Sequence, residues 1–172
     1  MNKLLGLAAL AVISLGQSLT VQAADVSFSV GQTAESTMTY RLGLQSNWDA
    51  SWWQTSVGRI TGYWDGAYTY WDGDETSSNH SLSFAPVFVY EFAGESIKPY
   101  IEIGVGVAAF SSTEVESNEL GSSFQFEDRI GLGLRFAGGQ EVGIRAIHYS
   151  NGGLQKPNDG IESYAVHYRM PL

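Results

Sequence analysis

The chain has 172 residues, a formal charge of −9 at pH 7, 20 glycines, 13% aromatic residues and no cysteine. This acidity excludes a nucleic-acid partner, whose phosphates call for clusters of Lys and Arg, and the absence of Cys excludes disulfides, Cys-based zinc sites and thiol nucleophiles. A mean hydropathy of −0.08, with no apolar run of about 20 residues after the first segment, excludes a helical membrane protein but not a membrane β-barrel, whose strands are apolar on one face only.

In chain order, residues 1–23 read as a secretory signal peptide: Lys3, an apolar run from Leu4 to Leu15, and the small-residue site Val21-Gln22-Ala23. The mature domain is then 24–172, and loss of Lys3 makes it more acidic still. From there, alternation with period 2 recurs between turn signals. It predicts eight strands at 25–34, 37–48, 51–71, 79–92, 97–110, 123–136, 141–151 and 160–170. In the second strand Met38, Tyr40, Leu42 and Leu44 alternate with Thr39, Arg41, Gly43 and Gln45. In the fourth, Leu82, Phe84, Pro86, Phe88, Tyr90 and Phe92 share a face. In the fifth, Ile97, Ile101, Ile103 and Val105 lie opposite Lys98, Tyr100, Glu102 and Gly104. In the sixth, Asp128 is the exception on the apolar face.

Charges at strand centres cannot face hydrocarbon cheaply, so the polar faces should line the inside, where Arg41, Arg59, Glu91, Glu102, Glu127, Arg129 and Arg145 can pair. The aromatic clusters Trp48, Trp52, Trp53 and Tyr63, Trp64, Tyr68, Tyr70, Trp71 read as interfacial girdles. The expected fold is therefore all-β, an eight-stranded antiparallel up-and-down transmembrane β-barrel in the outer membrane of a Gram-negative bacterium. Short periplasmic turns are expected at 47–51, 93–96 and 137–140, with external loops near 72–79, 111–122 and 151–160. A soluble sandwich or lipocalin-like carrier would need the apolar faces inside.

The seventh strand carries the chemistry. Val142, Ile144, Ala146, His148 and Ser150 share the face opposite Arg145, which turns His148 and Ser150 outward. A hairpin roughly symmetric about Gln155 puts Glu162 opposite His148, with 146 opposite 164 and 144 opposite 166. Each of these residues alone has an ordinary structural reading. Three polar partners on one lipid-facing patch instead follow the nucleophile, base and orienter logic of serine hydrolases. On a hypothesis of acyl transfer, donors at Ser150-Asn151-Gly152 would hold the developing oxyanion. A non-enzymatic barrel of OmpX or OmpA type has no use for such a patch. His167 has inward parity, and His80 lacks a Ser and carboxylate partner in its own hairpin.

The run His148-Tyr149-Ser150-Asn151, followed by Pro157-Asn158-Asp159-Gly160-Ile161-Glu162-Ser163-Tyr164, resembles the signature of the PagL family of lipid A 3-O-deacylases. The resemblance extends through Met38–Leu44, Ser51–Ser56 and Leu82–Phe92. It implies hydrolysis of the 3-position ester of lipid A with release of a 3-hydroxy fatty acid. The implied roles are Ser150 as nucleophile, His148 as base, Glu162 as orienter and Asn151 in stabilising the oxyanion. It also implies lipopolysaccharide as the partner, no metal and no organic cofactor. A homodimer is left open.

Overall fold

A computed structural model describes residues 24–74 and 76–172; the expected signal peptide lies outside them. Eight long strands close into an antiparallel barrel: β1 (Asp25–Gln32), β2 (Met38–Asn47), β3 (Gly58–Trp71), β4 (Asn79–Phe92), β5 (Ile97–Phe110), β8 (Phe124–Phe136), β9 (Glu141–Ser150) and β10 (Ile161–Met170). The short β6 (Glu114–Val115) and β7 (Asn118–Glu119) pair with each other inside the β5–β8 connection. Each barrel strand pairs with its neighbour along the chain, and β1 closes on β10 from Val26↔Met170 to Gln32↔Tyr164. This is the up-and-down order that the alternation predicts.

Side-chain parity decides what faces where. Leu42, Leu44, Leu82, Ile103, Ile130, Leu132, Ile144 and Val166 are all more than half exposed on the outer wall. A continuous apolar belt of this kind is far more than a soluble monomer presents to water. No helix among the described residues is long and apolar enough to cross a membrane; the strands supply the apolar surface.

The interior is a network of ion pairs. Asp65 accepts hydrogen bonds from Arg41 (2.6 Å), Arg129 (2.8 Å) and Gln45 (3.0 Å), and Arg129 also pairs with Glu127. Beside it Glu102 accepts from Arg145 (2.6 Å) and from the Tyr63 hydroxyl (2.7 Å). His167, inward as its parity requires, meets the Tyr100 hydroxyl at 2.7 Å. Near the short-turn end, Arg135 bridges Glu91 and Glu141, and Arg169 bridges Asp25 and Glu141. Buried charges persist only when paired and hydrogen-bonded, and here each carboxylate has at least one guanidinium. The expected interior set is present, with Arg59 at its rim, half-exposed and paired with Glu91.

Two expectations need correction. β3 starts at Gly58, not at 51: the backbone N–H of Thr55 bonds the Gly58 carbonyl, and Trp52 folds back to bridge Ile60. The β2–β3 connection, 48–57, is therefore longer than the expected turn at 47–51. Tyr63 and Trp71 are not girdle residues, because β3 turns them into the lumen, 2% and 0% exposed. Trp71 joins Phe110, Val115, Leu120, Ile147, Tyr149 and Ile161 in an apolar cluster that closes the long-loop end of the barrel. The cavity left beneath it, lined by Arg41, Thr69, Arg145 and Tyr149 among others, is about 10 Å³. That is room for about one water, so the lumen is packed at this level.

Candidate active site

The β9–β10 hairpin has the expected register: Ala146↔Tyr164, Ile144↔Val166 and, at the reactive level, His148↔Glu162. Directly opposed side chains on one face are neighbours, and the His148 Nδ1 lies 2.7 Å from Glu162 Oε1. Both side chains are about two-fifths exposed, on the outside of the barrel. Ser150 stands two residues on along the same face, half-buried, and its hydroxyl has no hydrogen-bond partner among the described residues. With Nδ1 engaged by the carboxylate, Nε2 is the ring nitrogen left for Ser150. No hydrogen bond joins them here, an arrangement usual for a site without substrate.

Two glycines shape this corner. Gly160 (φ +73°) is buried beside the imidazole, and a Cβ there would sit 3.0 Å from His148 Cε1. Gly152 (φ +64°) starts the turn after Ser150, and its N–H has no acceptor among the described residues. Asn151, the intervening residue, is fully buried. Its N–H donates to Asn158 Oδ1 (2.9 Å), and its amide group donates to the carbonyls of Leu120 and Gln155 (2.9 Å each). Its Oδ1 accepts from Gly153 N (2.8 Å). Asn151 thus ties the β9–β10 loop to itself and to the β5–β8 loop, and its donors are occupied.

Asp128 is the polar exception on the apolar face of the sixth predicted strand, and the structure keeps it there. The register sets it opposite His148 on the β8 side, outward and exposed, so the imidazole has a carboxylate-bearing strand on each side. Below the hairpin's reactive level, a groove of about 600 Å³ runs along the outer wall between β8 and β1, floored by Ala146, Ala165, Gly31 and Gly131 and walled by Ile144 and Tyr164. Of the four floor residues, Ala146 turns a small side chain outward, whereas Gly31, Gly131 and Ala165 have inward parity and line the groove with backbone. His80, exposed, meets the Tyr68 hydroxyl at 2.6 Å and takes no part here. Among the described residues, no group of three or more His, Asp or Glu side chains converges closely enough to hold a metal ion.

Fold and site together define a small β-barrel of the outer-membrane kind, with a hydrogen-bonded His–Glu pair and a neighbouring Ser on its outer wall instead of in its lumen. The chain belongs to the PagL family: residues 38–171 match the family model described as lipid A 3-O-deacylase (PagL). Lipid A deacylase PagL of Pseudomonas aeruginosa is 66% identical over 173 residues, covering all of both chains. Lipid A deacylase PagL of Bordetella bronchiseptica is 37% identical over 105 residues, 60% of this chain and 57% of that one. Among solved structures, that of the outer membrane enzyme PagL superposes with a TM-score of 0.85 at 69% identity, over 87% of this chain and all of the other. Neisserial surface protein A matches with a TM-score of 0.53 at 15% identity, over 87% of this chain and 94% of that one, a likeness of fold alone.

Proposed function

We propose that the protein is an outer-membrane esterase that removes the acyl chain at the 3-position of lipid A, with Ser150 as nucleophile, His148 as general base and Glu162 as its orienter. The observation that carries this reading is the 2.7 Å contact between His148 Nδ1 and Glu162 on the apolar outer face, one residue pair from Ser150. A charge-bearing pair on a lipid-facing wall is costly to keep there without a use. Relatives named as lipid A deacylases supply the substrate class.

The chemistry is acyl transfer. Ser150 Oγ attacks the ester carbonyl carbon while His148 Nε2 takes the hydroxyl proton, and Glu162 stabilises the imidazolium that forms. The bond to the sugar oxygen breaks as His148 returns the proton to that oxygen, leaving an acyl-serine. Water, deprotonated by His148, then releases the 3-hydroxy fatty acid and regenerates Ser150. The free N–H of Gly152 is the oxyanion donor, and Asn151 contributes by holding the turn that presents it. The wall groove takes the acyl chain, whose length its depth selects. The His148–Glu162 level lies toward the end with the long connections, which supports a position in the outer leaflet, where lipopolysaccharide resides.

The test is fatty-acid release from lipid A by detergent-purified protein, followed by mass spectrometry. Ser150→Ala and His148→Ala should each lose activity by about 10³ or more. Full activity in a folded Ser150→Ala protein would end the proposal.

A further inference from the structure

The basic residues of the barrel are sorted by height. Arg41, Arg129 and Arg145 are buried in the lumen, while Arg59, Lys98, Arg135 and Arg169 sit at the short-turn end in ion pairs with Glu91, Glu141 and Asp25. Among the described residues this leaves Lys156 as the one cation at the long-loop end. Around it that end carries carboxylates, including Asp72, Asp74, Glu114, Glu119 and Asp159, all exposed. Lys156 itself is exposed and has no ion-pair or hydrogen-bond partner among the described residues.

Its backbone, by contrast, is held on both sides. The Gln155 carbonyl, one residue before it, accepts from Asn151, the residue that follows Ser150. After it, the Pro157 carbonyl lies so close to Gly121 that a Cβ there would meet it at 1.9 Å. Asn158 accepts from the Asn151 N–H, and Asp159 exchanges two bonds with Glu119. The loop therefore presents one unpaired ammonium from a pinned backbone, on the same hairpin as Ser150 and Glu162.

On the proposed function, the substrate is a disaccharide carrying phosphates. Anionic groups approaching an acidic rim are repelled unless they meet a cation. The phosphate nearest the reacting ester is on the same sugar, two ring atoms away. We infer that Lys156 is a specificity-determining residue that binds this phosphate and so chooses which sugar's 3-ester reaches Ser150. A lysine suits the task as a mobile point charge at an exposed position. The inference rests on the esterase reading and adds to it a headgroup subsite.

The test is a double-mutant cycle on full-length protein in neutral detergent micelles at low salt, with wild type, Lys156→Gln and Lys156→Arg. The substrates are lipid A with both phosphates, lipid A lacking the 1-phosphate, and lipid A lacking the 4′-phosphate. Lys156→Gln should reduce kcat/KM on the bisphosphorylated substrate about three- to fivefold, through KM, with Lys156→Arg restoring most of it. Removal of the 1-phosphate and removal of the Lys156 charge should not multiply, since each deletes the same contact. Raising salt should shrink the effect. Independent, multiplying losses would overturn the inference, as would coupling to the 4′-phosphate, or full activity of Lys156→Gln on the bisphosphorylated substrate. Wild type that releases no fatty acid from any of these substrates would instead overturn the esterase reading itself.

Discussion

Replacing Glu162 by Gln removes a charge and leaves the shape. The Gln oxygen can still accept from His148 Nδ1, so the ring keeps its orientation, but the imidazolium of the transition state loses its carboxylate. A hydrogen bond to a charged group contributes about 1.5–3 kcal/mol. Here both partners are exposed, at 41% and 42%, so water screens part of it and the lower end, about 1.5–2 kcal/mol, is the appropriate figure. That corresponds to a loss in kcat of about 10- to 30-fold. Glu162→Ala, which also frees the ring to rotate, should lose more, on the order of 100-fold. The assay is initial-rate release of hydroxy fatty acid at saturating lipid A, with heat-modifiable gel migration to certify folding. Full activity in Glu162→Ala would refute an orienting role. A Glu162→Gln protein as inactive as Ser150→Ala would refute the screened-contact reasoning and require a carboxylate that does more.

Gly160→Ala should cost about 1 kcal/mol of stability from its positive φ, and more in rate, because the new Cβ displaces the imidazole; kcat falling without loss of the folded band checks it. Asp65→Ala strips one acceptor from two buried guanidiniums, and urea unfolding in detergent should show a destabilisation of about 3–5 kcal/mol. A change below about 1 kcal/mol there would mean that Glu127 alone neutralises both arginines. Leu132→Arg, outward at mid-wall, should cost about 2–4 kcal/mol in vesicles and far less in water-rich micelles, measured by unfolding in each.

The strands most legible in the sequence are those with a clean period of 2. In β4, β5, β8 and β9, alternating Leu, Ile, Val and Phe fix parity, and parity fixes which way His148 and Ser150 point. The His148↔Glu162 register followed because the loop between them centres on Gln155 and neither strand contains a bulge. β3 was harder, because aromatic residues occupy both of its faces: Tyr63 and Trp71 point in, Trp64 and Tyr68 point out. That mixture hid Asp65, the hub of the interior network, and disguised residues 51–57 as strand. The role of Asn151 was illegible for a different reason. Its partners, Leu120 and Asn158, come from separate loops, and no local pattern records which loops touch.

A barrel filled with salt bridges and capped by Trp71 and Leu120 offers no route through its centre. Reactant and enzyme must meet by sliding sideways within the same leaflet, a two-dimensional search. Turnover should therefore follow the mole fraction of substrate in the surface, falling when inert amphiphile is added at constant bulk concentration. The freed fatty acid and the remaining lipid both depart along the plane of the film, without crossing it.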